Sequence, residues 1–209
     1  NNYREPAILS YDTGDYSSQG VTETLMQGDY NKMIQSVKKY GGFYVGRYEM
    51  GLDKNNNPTS KIGVTPTSAY DSETSMWYGL YNKAKSYSKS SVTAGMIWGS
   101  QYDAMLNFGL TNSTDSSKIT ANTNGNHSGK LLKTGTWLGT SNQTDKINNI
   151  FDLEGNMWEW TKEANDTYGR VYRGGNFYTY ITSSPSCRGD NYPNNTYNGS
   201  GSRLGLYIK

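Results

Sequence analysis

From Arg173 to Ile208 the chain contains no Lys, Glu, Gln, Met or Trp, while Asn, Tyr, Ser, Thr, Gly and Asp crowd between two hydrophobic ends. The absent types share one explanation. They are the five that cannot be reached from an Asn codon ending in a pyrimidine when its two adenines are replaced. The upstream loops keep Lys, Glu and Gln, so the change is abrupt. A chain built this way must anchor the two ends of the segment and turn its middle outward, where side chains can change without loss of the fold.

At 209 residues the chain is long enough for one sizeable core. Only 33% of residues are hydrophobic, but 19 Tyr and 5 Trp bury much area per ring, provided their polar atoms find partners. Disorder is a poor reading of such a composition. The 20 basic and 18 acidic residues leave a charge of +2 with no runs, which argues against nucleic acid and against an anionic membrane as partners. Cys187 and His127 are single, so neither an intrachain disulfide nor a Cys/His zinc site can form. No apolar run is long enough to insert in a bilayer. Residues 1–24 read as a leader or linker and 25–209 as one domain, part of a larger multidomain chain.

Tyr30, Met33, Ile34 and Val37 recur at helical spacing, with Asp29 as the expected N-cap and Gly41-Gly42 as the stop. Phe43 to Glu49 alternates like a strand and ends at an Asn-rich turn over 55–58. Met76, Trp77, Leu80, Tyr81 and Ala84 predict a second helix over 72–88, and a short one is expected near 100–106, after Met96-Ile97-Trp98. Residues 110–149 are polar and read as long surface loops with one small hairpin at most.

Asn149-Ile-Phe-Asp-Leu-Glu-Gly-Asn-Met-Trp-Glu-Trp160 resembles the "GL.DM.GNVWEW" signature of the formylglycine-generating enzyme (sulfatase-modifying factor) family. Arg170-Val-Tyr-Arg-Gly-Gly-Asn-Phe177 is similar to its "R..RGGSW", and Ser202 to Ile208 to its terminal "..GFR" strand, in the same order and spacing. The resemblance implies an α+β, C-type lectin-like fold: a small twisted antiparallel sheet, two main helices and long irregular loops. Read directly, Trp158 and Trp160 face one side of a strand and Glu159 the other, which a packed core alone also explains. Gly155, Gly174 and Gly175 mark positive φ or close backbone approach.

The resemblance does not extend to catalysis. Where the family places two copper-binding cysteines this chain has Thr179 and Ser184, and a hydroxyl cannot replace a thiolate at Cu(I). With a single Cys and a single His, neither a thiol pair nor a Cys/His cluster can be assembled, so an enzyme is the weakest reading. Cys187 reads as a small buried hydrophobe. The resemblance further implies a structural calcium at Asp152, Gly155, Met157 and Glu159, a hard oxygen set, although no cofactor is required for binding. The competing reading is that Asp152 caps a turn and Glu159 pairs with an arginine such as Arg173.

The same fold hosts the variable proteins of diversity-generating retroelements, which the terminal segment also resembles; the variable region here would be 175–203. The expected displayed residues are Tyr178, Tyr180, Asp190, Asn191, Tyr192, Asn194, Asn195, Tyr197 and Asn198, with Thr182, Ser184 and Ser200 beside them. Tyr supplies contact area at low entropic cost and Asn and Ser supply adaptable hydrogen bonds, as in antibody loops. The resemblance implies a non-enzymatic domain that binds a protein or glycan target on a cell surface, carried extracellularly at a phage tail tip or on a bacterial surface. The alternatives are a fixed-specificity carbohydrate-binding or adhesin module of the same fold, and a low-complexity loop.

Overall fold

The computed structural model describes residues 21–67, 77–112, 116–136, 146–165, 169–178, 183–195 and 197–209. Of the expected leader, residues 1–20 lie outside this set. Helix α1 runs Glu23–Tyr40, so the leader's last residues already belong to the helix and its cap. Thr22, in extended conformation, is the cap; its hydroxyl accepts from Leu25 N at 3.2 Å. Gly41 ends the helix at φ 83°, its N–H donating to Val37 O. Asp29 is therefore not the cap. It sits within the helix, where it takes Lys162 Nζ at 2.7 Å and the Tyr207 hydroxyl at 2.9 Å.

The predicted strand from Phe43 survives only as β1, Tyr44–Val45, before the chain bends at Arg47. The Asn-rich turn joins β2 (Gly51–Leu52) to β3 (Pro58–Thr59), with Asn56 at φ 62°. Helix α2 covers Trp77–Lys85, and the expected residues before it lie outside the described set. Strand β4 (Val92–Met96) leads into α3, Gly99–Asn112, which is longer than predicted and consumes the start of the supposed loop region. The rest of that region, where described, is irregular apart from a 3-10 turn at Ser116–Ile119 and isolated bridges.

The remaining strands are β5 (Trp158–Ala164), β6 (Arg170–Arg173), β7 (Arg188–Asn191), β8 (Ser200–Ser202) and β9 (Leu204–Ile208). One sheet has the order β1-β9-β4, all antiparallel. A second has the order β7-β6-β5-β8, in which β8 runs parallel to β5. The fold is α+β, with three α-helices among the described residues: the two main ones expected and, in α3, the short one expected near 100–106, here longer.

Two apolar clusters hold these layers together. In one, α1 and α2 lay Met26, Met33, Trp77, Leu80 and Tyr81 against Trp98, Trp160, Leu204 and Tyr207. In the other, α3 lays Tyr102, Met105 and Leu106 against Ile97, Ile119, Ile147 and Leu153. Both tryptophans of β5 face Tyr172, with ring centroids 4.7 Å (Trp158) and 5.2 Å (Trp160) away, as the two-residue spacing requires. Glu159 points the other way, into the interior.

Candidate functional site

The terminal segment leaves β6 through two glycines held at φ 87° and 88°. A Cβ on Gly174 would stand 2.5 Å from the Leu153 carbonyl oxygen, so only glycine lets the chain turn there. The next residue, Asn176, is fully buried and acts as a post. Its Oδ1 accepts from Tyr178 N and its Nδ2 donates to the Tyr197 hydroxyl, both at 3.0 Å. Tyr178 in turn donates its hydroxyl to Asn198 Oδ1, and the rings of Tyr178 and Tyr197 lie 6.0 Å apart. Residues from opposite ends of the segment thus meet over one buried amide.

The middle of the segment lies on β7 and the turn after it. Asp190 is exposed and Asn191 half-buried, with Asn191 Oδ1 accepting from Tyr192 N at 2.8 Å. Tyr192 is 39% exposed, and the turn closes when Asn195 N donates to Tyr192 O at 3.0 Å. Asn195 is exposed and Asn194 half-buried, while Pro193 is buried and its carbonyl accepts from Trp77 N at the start of α2. Ser184 is half-buried beside Ser186, their hydroxyls 2.9 Å apart. Tyr180, Thr182 and Thr179 lie outside the described residues.

Ser200 departs from the expectation. It is 1% exposed, because β8 pairs with the buried strand β5 and sets Ser200 opposite Trp158. Asn176, Ser202 and Arg203 are buried as well. The segment is therefore a mixture, in which outward positions alternate with a buried frame. Cys187 is half-buried and not part of the core, and its carbonyl accepts from Gly174 N at 3.3 Å.

Arg203 closes the segment at the centre of an internal charge cluster. Its Nε donates to both Glu159 oxygens at 3.0 Å, and its Nη2 also reaches Glu159. Its Nη1 donates to Gly46 O at 2.8 Å, and Nη2 to the carbonyls of Phe151 at 2.7 Å and Asp152 at 3.4 Å. Burial works against the charge on the guanidinium, but the bonded Glu159 carboxylate outweighs it and lifts the group above its ordinary range. Nearby, Glu49 accepts from Met157 N at 3.0 Å and Asn156 Nδ2 at 2.6 Å. Burial first, then the Asp152 and Glu159 carboxylates, push the Glu49 carboxyl well above its ordinary 4.5.

This arrangement does not fit the calcium implied by the resemblance. Both oxygens of Glu159 and the Asp152 carbonyl are committed to a guanidinium, and Asp152 Oδ2 accepts from Gly135 N. Among the described residues no group of three or more acidic, His or Cys side chains is arranged to hold a metal. Nor does Glu159 bond Arg173, its register partner across β6; Arg173 turns to Asp103 instead.

One neighbouring element escaped the sequence reading. The loop 121–130 lies against the segment's start, Gly129 N donating to Phe177 O at 2.7 Å. The ring nitrogens of His127 sit 2.9 Å from Asn176 O and 3.3 Å from Glu154 Oε1. Only its turn-rich composition, Asn-Thr-Asn-Gly-Asn-His-Ser-Gly, hinted at an ordered loop.

No family model matches the chain, and no curated protein matches it either. Its fold is that of solved structures of a C-type lectin-like protein, the Major Tropism Determinant. The I1 variant matches at 17% identity and TM-score 0.52 over 80% of this chain and 51% of its own. The M1 variant matches at 16% identity and TM-score 0.54 over 81% of this chain and 51% of its own. The chain thus spans about half the length of the Major Tropism Determinant chains it matches. The CarF crystal structure, at TM-score 0.46 and 15% identity over 87% of this chain and 83% of its own, adds nothing to this. At such identities the likeness is one of fold.

Proposed function

We propose that this chain is a non-enzymatic recognition domain whose terminal segment is a diversified target-binding surface, as in the variable proteins of diversity-generating retroelements. The carrying observation is the division of the segment into two sets of residues. Asn176, Ser200, Ser202 and Arg203 are buried in the scaffold, whereas Asp190, Tyr192 and Asn195 stand out from it. A segment of such restricted composition, fixed at its ends and outward in its middle, can change its contacts while the fold stays the same.

Support comes from the matched structures, which carry the same fold and are named as variants of a determinant of tropism. Tyr, Asn and Ser on the outward positions provide broad contact area and adaptable hydrogen bonds for a protein or glycan on a cell surface. The domain would act outside the cell, at a phage tail tip or bacterial surface. No described helix is long and apolar enough to cross a membrane.

Sequencing the surrounding DNA tests this. The expected finding is a reverse transcriptase gene and a near-copy of the segment whose differences fall at adenines in the codons for outward residues. A locus with neither would overturn diversification and leave a fixed-specificity carbohydrate-binding or adhesin module of the same fold.

A further inference from the structure

We infer that the loop 121–130 forms a second, unvarying half of the target-binding face, and that the partner it fits is a protein surface with polar, hydrogen-bonding groups. This rests on the proposed function and adds to it residues outside the terminal segment.

Size provides the first reason. A stable protein–protein contact takes roughly 20–30 residues a side. Among the described residues, nine of the candidates between Tyr178 and Asn198 are outward or half-buried, fewer than half of that, and Ser200 is withdrawn into β8. A protein target of that size would also rest on residues beside these.

Position singles out this loop. Gly129 N bonds to Phe177 O, one residue before Tyr178, and the His127 ring bonds to Asn176 O, the residue that holds Tyr178 and Tyr197 in place. Loop and segment are thus latched together through the backbone. Asn122, Thr123, Ser128, Gly129 and Lys130 are exposed around that latch.

Rigidity makes the loop useful. Asn126 is buried beneath it, its Nδ2 donating to Lys130 O at 2.9 Å and Asn156 Oδ1 at 2.8 Å. Its Oδ1 accepts from Ser128 N at 3.1 Å and Ser128 Oγ at 2.7 Å. Asn124 N donates to Glu154 Oε1 at 3.0 Å, and Asn156 N to Asn126 O at 3.0 Å. Gly125 and Gly155 let the two backbones touch; a Cβ on Gly125 would overlap the Glu154 carbonyl oxygen at 1.9 Å. A loop fixed before binding loses little entropy on binding. Its exposed groups are amide, hydroxyl, backbone and one ammonium, which suits a polar protein surface.

The experiment uses the full chain displayed on yeast, randomised at Asp190, Tyr192, Asn194, Asn195 and Asn198 and selected against hen egg-white lysozyme as a probe protein. Thr123→Ala and Lys130→Ala are then introduced together into several independent binders, with melting temperature measured alongside. We expect affinity to fall about tenfold in most of them, with melting unchanged, a loss of the size seen for contact residues of middling weight. Hydrogen exchange on each complex should show slowed amides over 121–130. Binders that keep their affinity within about twofold and show no protection there would overturn the inference while upholding the display reading. A library that stays folded yet gives no binders would instead strike at the proposed function itself.

Discussion

Arg203 and Glu159 carry more of this molecule's integrity than their count suggests, because both are buried and each is the other's counter-charge. Removing one charge of such a pair leaves the other unpaired in a poor solvent, which costs about 3–5 kcal/mol. Arg203→Met should therefore lose that much stability in urea unfolding, and the double variant with Glu159→Met should recover part of it. Glu49 makes a separate prediction. Its carboxyl, lifted well above 4.5 by burial and two neighbouring carboxylates, binds a proton more tightly folded than unfolded. The stability this gives is fully present below the unfolded value and is lost as pH rises through the folded one. Glu49→Gln should remove that loss, so as pH is raised above 4.5 its melting temperature should fall less steeply than that of the natural chain. At this scale the sequence was partly legible. Two-residue spacing placed Glu159 opposite the tryptophans, and pairing with an arginine was one of its two readings. The partner could not be read, since Arg173 is the register neighbour and Arg203 arrives only when the chain returns through β8.

Helix α1 shows why element boundaries are harder to read than elements. Its apolar spacing and its stop at Gly41 were visible, but its start was placed at Asp29, where an acidic residue precedes an apolar run. The true cap is Thr22, and Asp29 is held inside by the buried ammonium of Lys162 and the hydroxyl of Tyr207. Those partners lie more than a hundred residues away, so no local pattern could reveal them. Thr22→Ala should cost about 1 kcal/mol, the usual weight of a cap hydroxyl, seen as a shift in the urea midpoint with an unchanged slope. Asp29→Ala should cost more than this, because it leaves Lys162 buried without its counter-charge. The parallel pairing of β8 with β5 was illegible for the same reason. Three residues, Ser-Gly-Ser, carry no strand signal of their own, and it is the pairing with the buried Trp158–Trp160 stretch of β5 that makes them a strand.

The whole molecule separates what must stay from what can change, and its terminal segment contains both. Asp190, Tyr192 and Asn195 face outward on β7 and its turn, so replacing them one at a time with Ala or Ser should shift unfolding by no more than about 0.5 kcal/mol each. Phe177 is buried, its ring 4.6 Å from that of Tyr178, and Phe177→Ala should cost about 3–5 kcal/mol. Ser200 decides between two explanations of the biased composition. It is one base change from Tyr in some codons and shares the composition of its neighbours, so a merely polar loop would accept Tyr there. Packed beside β5 with almost no exposure, it has no room for a ring. A deep mutational scan of 175–203, sorted for folded protein by protease resistance, should show near-flat tolerance at Asp190, Tyr192 and Asn195. The same scan should show rejection of large residues at Ser200 and of any side chain at Gly199, where a Cβ would meet Asn176 Nδ2 at 2.5 Å. Equal tolerance at all five positions would mean that the buried frame does not hold the segment, and with it the separation of scaffold from surface would be lost.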